Sequence, residues 1–170
     1  MNMTDSPAAR TRRLLDEARY LSLATVSTDE HPWSAVLQYA WLADPLRFLF
    51  GSATQSRHSM DIAARPLVSG SLFTSGGALM AVDGAQFAGV CRELSTEEVE
   101  LYHATFYDAV LPDAADRAEW TLPVSALVAP APHRLYLVEV EQWWLVDTRT
   151  WAEDRIDRRA EVPLSALSGM

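Results

Sequence analysis

The chain has 170 residues, of which 49% are hydrophobic and 22% charged, the balance of a globular protein long enough to bury a sizeable core. All 14 basic residues are arginine against 23 acidic ones, a net charge of −9 that argues against a nucleic-acid partner. The lack of lysine excludes a PLP Schiff base and a P-loop lysine, and the single Cys91 excludes an internal disulfide, a C-x-x-C redox pair and thiolate zinc clusters.

Residues 1–13 are polar and carry no apolar signal core, and no run approaches the roughly 18 apolar residues of a membrane span. A single domain over residues 1–170, in the cytoplasm and away from membranes, is expected, with residues 1–13 partly disordered. Ser6-Pro7 nevertheless has the form of an N-cap followed by proline at the first helical position, and Leu14, Leu15 and Ala18 recur at helical spacing to about Arg19.

A β-rich run, Tyr20 to Val26, and a polar turn, Ser27 to Pro32, come next. In the strand Trp33 to Leu42, one face holds Trp33, Ala35, Leu37, Tyr39 and Trp41, the other Ser34, Val36, Gln38, Ala40 and Leu42. Asp44-Pro45 turns the chain into a third strand, Leu46 to Phe50. It runs into a small-residue turn, Gly51-Ser52-Ala53-Thr54-Gln55, and a short helix, Ser56 to Ala64, stopped by Arg65-Pro66. Leu67 to Phe73 reads as a fourth strand; Ser75-Gly76-Gly77 is a turn cluster, and Ala85 to Leu94 a fifth strand. Ser95-Thr96-Glu97-Glu98 is a capping box opening a helix with a Val99, Tyr102, Phe106, Val110 stripe. Residues 112–131 read as irregular with one helical turn. His133 to Val140 and Gln142 to Asp147 read as two strands, 148–158 as a polar loop, and Ala160 to Leu164 as a last short strand.

The spot where the third strand meets the short helix is chemically distinctive. Orphan N–H groups of a helix N-terminus, two basic side chains (Arg57, His58) and the hydroxyls of Ser52 and Ser56 come together there, a composition suited to phosphate. Strand, small-residue turn, Ser56-Arg57-His58 and a proline-stopped helix together resemble the pyridoxamine 5'-phosphate oxidase-like family, the FMN-binding split β-barrels. The pattern Gly84-x-Gln86-x-x-Gly89 before a capped helix, and the Arg134-Leu135-Tyr136 strand with its tryptophan pair, are similar as well.

The resemblance implies a mainly β fold, a split β-barrel of about six to seven strands with short helices, binding FMN at a homodimer interface. It places the flavin phosphate on Arg57 and His58 with Ser56 and Ser52, and the ring against Val36, Leu37, Gln38, Phe50 and Gly51. Ser71, with Ser69, would complete the site. Gln38 is an amide in an otherwise small or apolar strand face, able to bond a flavin edge or to satisfy a barrel backbone group. The relatives leave a deazaflavin or haem as alternative ligands, although the acidic surface disfavours an anionic deazaflavin tail. A non-enzymatic flavin-binding module is also open. A small-molecule substrate and NADH or NADPH are the candidate partners of an FMN-dependent oxidoreductase.

The chain departs from the authentic oxidases at two points. Trp33 to Leu42 contains no basic residue, and Trp143-Trp144 is followed by Leu145-Val146-Asp147 without the expected arginine and histidine. Both departures argue against oxidation of pyridoxamine phosphate and leave FMN binding standing. No residue is assigned a catalytic role, and four scattered histidines assign no metal. Trp143-Trp144 is expected in the core and dimer interface, and His103 on a packing or surface face.

Overall fold

The computed structural model describes residues 6–74, 83–147, 150 and 153–170. Helix α1 spans Pro7–Glu17; the Ala9 amide donates to Ser6 Oγ at 3.2 Å, the cap that the Ser6-Pro7 pair predicts. Of residues 1–13, expected to be partly disordered, 7–13 belong to this helix and 1–5 lie outside the described residues. Packing holds this helix. Leu14 and Leu15 enter the core, and Arg10 donates to Asp83 Oδ1 at 2.6 Å and to the Val146 carbonyl at 2.7 Å.

Eight antiparallel strands follow: β1 (Tyr20–Val26), β2 (Pro32–Gln38), β3 (Ala40–Leu42), β4 (Arg47–Ala53), β5 (Leu67–Thr74), β6 (Asp83–Glu93), β7 (His133–Val146) and β8 (Arg159–Glu161). They form one sheet in the order β2-β1-β5-β6-β7-β4-β3, with β8 paired to β7. The predicted strand 33–42 is one extended segment that changes partner: β2 pairs with β1, and β3 pairs with β4. The in–out alternation survives the change. Leu37 and Tyr39 join the barrel core, with Trp41 packed against it, whereas Ala40 and Leu42 belong to the cluster outside.

Inside the barrel, Phe48 meets Phe87 and Trp143, and Phe50 stacks on Tyr136 with centroids 5.1 Å apart. Trp143 is fully buried and donates from Nε1 to Thr11 Oγ1 at 3.0 Å. Cys91 is buried in the same core, where burial pushes its thiol up to about 12. Helix α1 closes the end where β6 begins. Helix α2 (Arg57–Ala64) covers the opposite end, with Ile62 in the core and Asp61 accepting from Thr25 Oγ1 at 2.7 Å. Helix α3 (Thr96–Val110) starts with the expected capping box and lays Val99, Phe106 and Val110 over Leu49, Leu135 and Leu137 on the outer side of β4 and β7. Residues 112–131 hold helix α4 (Ala114–Trp120), capped by Asp113, and a 3-10 turn at Val124–Ala126, more regular than expected.

Two boundaries differ from expectation. Gly51, Ser52 and Ala53 are the end of β4, not a turn, because the long β7 offers Leu135, Arg134 and His133 as pairing partners. The two strands expected over 133–147 are one. Gly89 pairs with Val140 and Ala88 with Gln142, so Glu141 is an extra residue bulged out of a continuous β7. The turn cluster at 75–77 lies outside the described residues. The last strand forms at Arg159–Glu161, and 164–167 is a 3-10 turn. No described helix is long and apolar enough to cross a membrane.

The bulge dictates a glycine. A Cβ on Gly89 would lie 2.1 Å from the Glu139 carbonyl oxygen and 3.2 Å from Val140 Cα. Both neighbours are backbone, so the ladder itself has to shift. We expect Gly89→Ala to cost about 1–3 kcal/mol, lowering the melting temperature by roughly 2–12 °C in a chain of this size. Calorimetry of the two proteins reads this directly; an unchanged melting temperature would mean the bulge accommodates a methyl group.

Candidate functional site at the start of helix α2

Ser52 is the next-to-last residue of β4 and Ser56 is the N-cap of α2, three residues beyond the strand. The short turn between them brings the two hydroxyls to 3.0 Å. One ring nitrogen of His58, Nε2, lies 2.7 Å from Ser52 Oγ and 3.1 Å from Ser56 Oγ. Ser56 Oγ also donates to Ser59 Oγ at 2.8 Å and accepts the Ser59 amide at 3.4 Å. Three hydroxyls, an imidazole and the free N–H groups of a helix start thus share one small volume. Burial holds the His58 pKa below its ordinary value, partly opposed by the Asp61 carboxylate one turn along the helix.

Tyr136 lies under this cluster. It is 1% exposed, and its hydroxyl approaches Ser59 but has no hydrogen-bond partner of ordinary geometry. A buried hydroxyl without a partner is costly, so this one stands out among the described residues. At the helix start, the Arg57 guanidinium lies over the Trp33 ring of β2, 4.8 Å from its centroid. Among the described residues no carboxylate pairs with Arg57, whereas Arg10, Arg92 and Arg134 each hold one.

The remaining predicted residues fall in three other places. Leu37 and Phe50 are buried in the barrel core. Gly51 faces outward beneath α3, where a Cβ would lie 3.3 Å from Phe106 Cζ. Val36, Gln38 and Ser71 stand with Ser69 on the outer face of the sheet, away from the helices. There a lateral row runs Val36–Ser22–Ser71–Gln86–Trp144 across β2, β1, β5, β6 and β7. Ser22, Ser69, Ser71, Gln86 and Trp144 line an open groove of about 580 Å³ with Arg159 at its side. The fold thus gathers Ser52, Ser56 and His58 at one point, with Arg57 beside them. It gathers Val36 and Ser71 at another, with Gln38 two residues further along β2.

Sequence reading did not single out Trp33, Ser59 or Tyr136 as site residues. Tyr136 had a readable signal, since alternation along β7 from Leu135 turns it inward. Trp33 had none, because its contact with Arg57 joins residues far apart in the chain.

A curled antiparallel sheet whose end strands are one continuous segment, with a helix plugging each end, is a split β-barrel. The profile of the family described as pyridoxamine 5'-phosphate oxidase matches residues 8–147, and the chain belongs to that family. No curated protein matches the sequence. Among solved structures, a heme-binding protein from Mycobacterium smegmatis superposes with a TM-score of 0.71 at 17% identity, covering 97% of this chain and 61% of that one. This chain therefore spans less than two thirds of that protein. An FAD-binding protein from Mesorhizobium loti gives a TM-score of 0.61 at 20% identity, over 82% of this chain and 92% of that one. The heme storage protein HutZ from Vibrio cholerae gives 0.56 at 17%, over 78% and 88%. At these identities the likeness is one of fold.

The His58 environment has a measurable consequence. Its folded pKa is depressed below the ordinary 6.5, so near that pH the unfolded chain binds more protons than the native one. The contribution to stability is fully present above the unfolded value and is lost as pH falls through it toward the folded value. We expect the melting temperature of the ligand-free protein to fall between pH 7.5 and 5.5, and to fall less in His58→Gln. Parallel curves for the two proteins would show that His58 titrates as in the unfolded chain.

Proposed function

We propose that this protein binds FMN, with the flavin phosphate on Ser52, Ser56, Arg57 and His58, and acts as a flavin-dependent oxidoreductase on a small molecule. The observation that carries the reading is the convergence of hydroxyls and imidazole at the start of α2, with Arg57 the first residue of that helix. These donors fit a phosphomonoester, which has oxygen acceptors for each of them and a charge the helix N-terminus favours. The partnerless Tyr136 hydroxyl beneath them is a further donor in reserve. From Trp33 to Gln38 the strand spans ~17 Å at ~3.3 Å per residue, room for the ribityl chain and ring to lie along β2. Gln38 is exposed at the far end, where an amide can bond the polar edge of a ring.

Bound flavin would supply the hydride or electron chemistry, and NADH or NADPH is the natural reductant to test. The chain's own part is binding and orientation: the α2 cluster holds the anion, and β2 sets the ring's direction. The family's own substrate reaction is not proposed, because β2 carries no basic residue and no arginine–histidine pair follows Trp143-Trp144.

The uncovered outer face supports a homodimer. Val36 is 73% exposed, Phe73 60% and Tyr20 52%, and all three project from β2, β5 and β1 on the side without helices. An apolar sheet face of this kind is typical of a permanent interface, and two-fold pairing would place the groove of each chain against its partner.

Haem is the second reading, favoured by the heme-binding proteins among the structural neighbours. Its imidazole candidates are His31, His58, His103 and His133; the first three bond Asp29, the serines and the Leu122 carbonyl through one ring nitrogen, an arrangement compatible with metal ligation by the other. The absorption spectrum of protein titrated with FMN or with haem separates the two.

We expect Arg57→Ala to weaken FMN binding about tenfold to a hundredfold while riboflavin, which lacks the phosphate, loses much less. Equal losses for both ligands would remove Arg57 from the phosphate site. Light scattering across a dilution series is expected to give twice the chain mass, and a monomer at micromolar concentration that binds FMN fully would sink the dimer.

A further inference from the structure

The arginine at the start of α2 has an aromatic ring and not a carboxylate beside it, as Arg47 has Tyr102. Arg10, Arg92, Arg117, Arg134, Arg158 and Arg159 all point their guanidinium groups at carboxylates. Arg57 instead places its guanidinium over an indole from a different element, with 4.8 Å between its Cζ and the ring centroid. Trp33 is itself 42% exposed, at the beginning of the edge strand β2, so the stack is formed at the mouth of the barrel and not in its core.

The chemistry of the pair is specific. A guanidinium interacts with a ring through its charge and flat face and donates hydrogen bonds through its rim, so an indole partner accepts no conventional hydrogen bond and leaves the N–H groups usable. A carboxylate partner would instead consume the rim and cancel the charge. In a chain with net charge −9, an arginine restrained by a neutral ring keeps both its orientation and its full positive charge for an incoming anion.

We infer that Trp33 is a positioning residue for anion binding: it holds Arg57 beside the Ser52–Ser56–His58 cluster, so that the phosphate site is built jointly by β2 and α2. This rests on the reading of that cluster as a phosphate site. It also gives β2 a role in phosphate binding although the strand carries no basic side chain of its own.

A double-mutant cycle tests it, with FMN and riboflavin titrated into apoprotein. Trp33→Ala is expected to raise the FMN dissociation constant about three- to tenfold and that of riboflavin less than twofold. Placed on Arg57→Ala, the same substitution should add nothing, because the ring then has no guanidinium to hold. Trp33→Phe, which keeps an aromatic face, should recover most of the loss, and Trp33→Leu, which keeps bulk without that face, should not. The phenylalanine and leucine variants carry the test if the alanine variant fails to fold, which thermal melts of each apoprotein show. Additive losses of FMN affinity, equal losses for riboflavin, or equal behaviour of the phenylalanine and leucine variants would each overturn the inference while leaving the phosphate site intact. Normal FMN binding by Arg57→Ala alone would overturn the phosphate reading and the inference with it.

Discussion

The change of partner at Tyr39 governs the whole architecture. In the order of hydrogen bonding, β2 and β3 are the two extremes of a path of seven strands. Laid flat, six spacings of ~4.8 Å would separate them by about 29 Å. In the chain they are separated by a single residue. The sheet has no choice but to roll until its extremes meet, and Tyr39 is the point of closure. Its ring meets Phe48 edge-on at 5.4 Å and its hydroxyl donates to the Leu15 carbonyl at 3.1 Å, binding the corner both to the barrel wall and to the helix that plugs it.

The same closure creates the candidate site. Rolling brings the β2 end of the sheet toward β4, and α2, which leaves β4 after a short turn, is thereby set against the start of β2. Neither strand pairs with the other, so the seam between them stays open and is bridged by side chains. Polar groups that would be expensive inside the barrel are stable at such a seam, because they remain within reach of one another and of water. The acidic surface sharpens the point: an anion is attracted only where local donors outnumber carboxylates, and the start of α2 meets that condition.

Elements governed by local chemistry were readable from the chain. The Ser6-Pro7 start of α1, the limits of β1 and the Ser95–Glu98 capping box each depend on residues within one turn or one strand of each other. Features that depend on a distant strand were not. Gly51, Ser52 and Ala53 have turn-like composition and become strand only because β7 is long enough to pair with them. Glu141 looks like a strand break and is a bulge, since continuity of β7 is enforced by β6 on one side and β4 on the other. In the site, Ser52, Ser56 and His58 were legible because they lie within seven residues. Leu37 and Phe50, expected against a ligand ring, lie in the barrel core because alternation along β2 and β4 turns them inward, and Gly51 lies on the opposite side of β4, under α3.

The buried Cys91 thiol makes the barrel's opening motions observable. It is the only sulfhydryl in the chain, it is 1% exposed, and as a thiol held up to about 12 it is chemically silent while the barrel stays shut. A disulfide reagent can reach it only when β6 separates from its neighbours or α2 lifts from the mouth it covers. The rate of modification is then a clock for local unfolding at that end of the molecule. An unmodified chain carries this single-site reporter of its own breathing, at a residue whose amide bonds the Pro66 carbonyl just beyond α2.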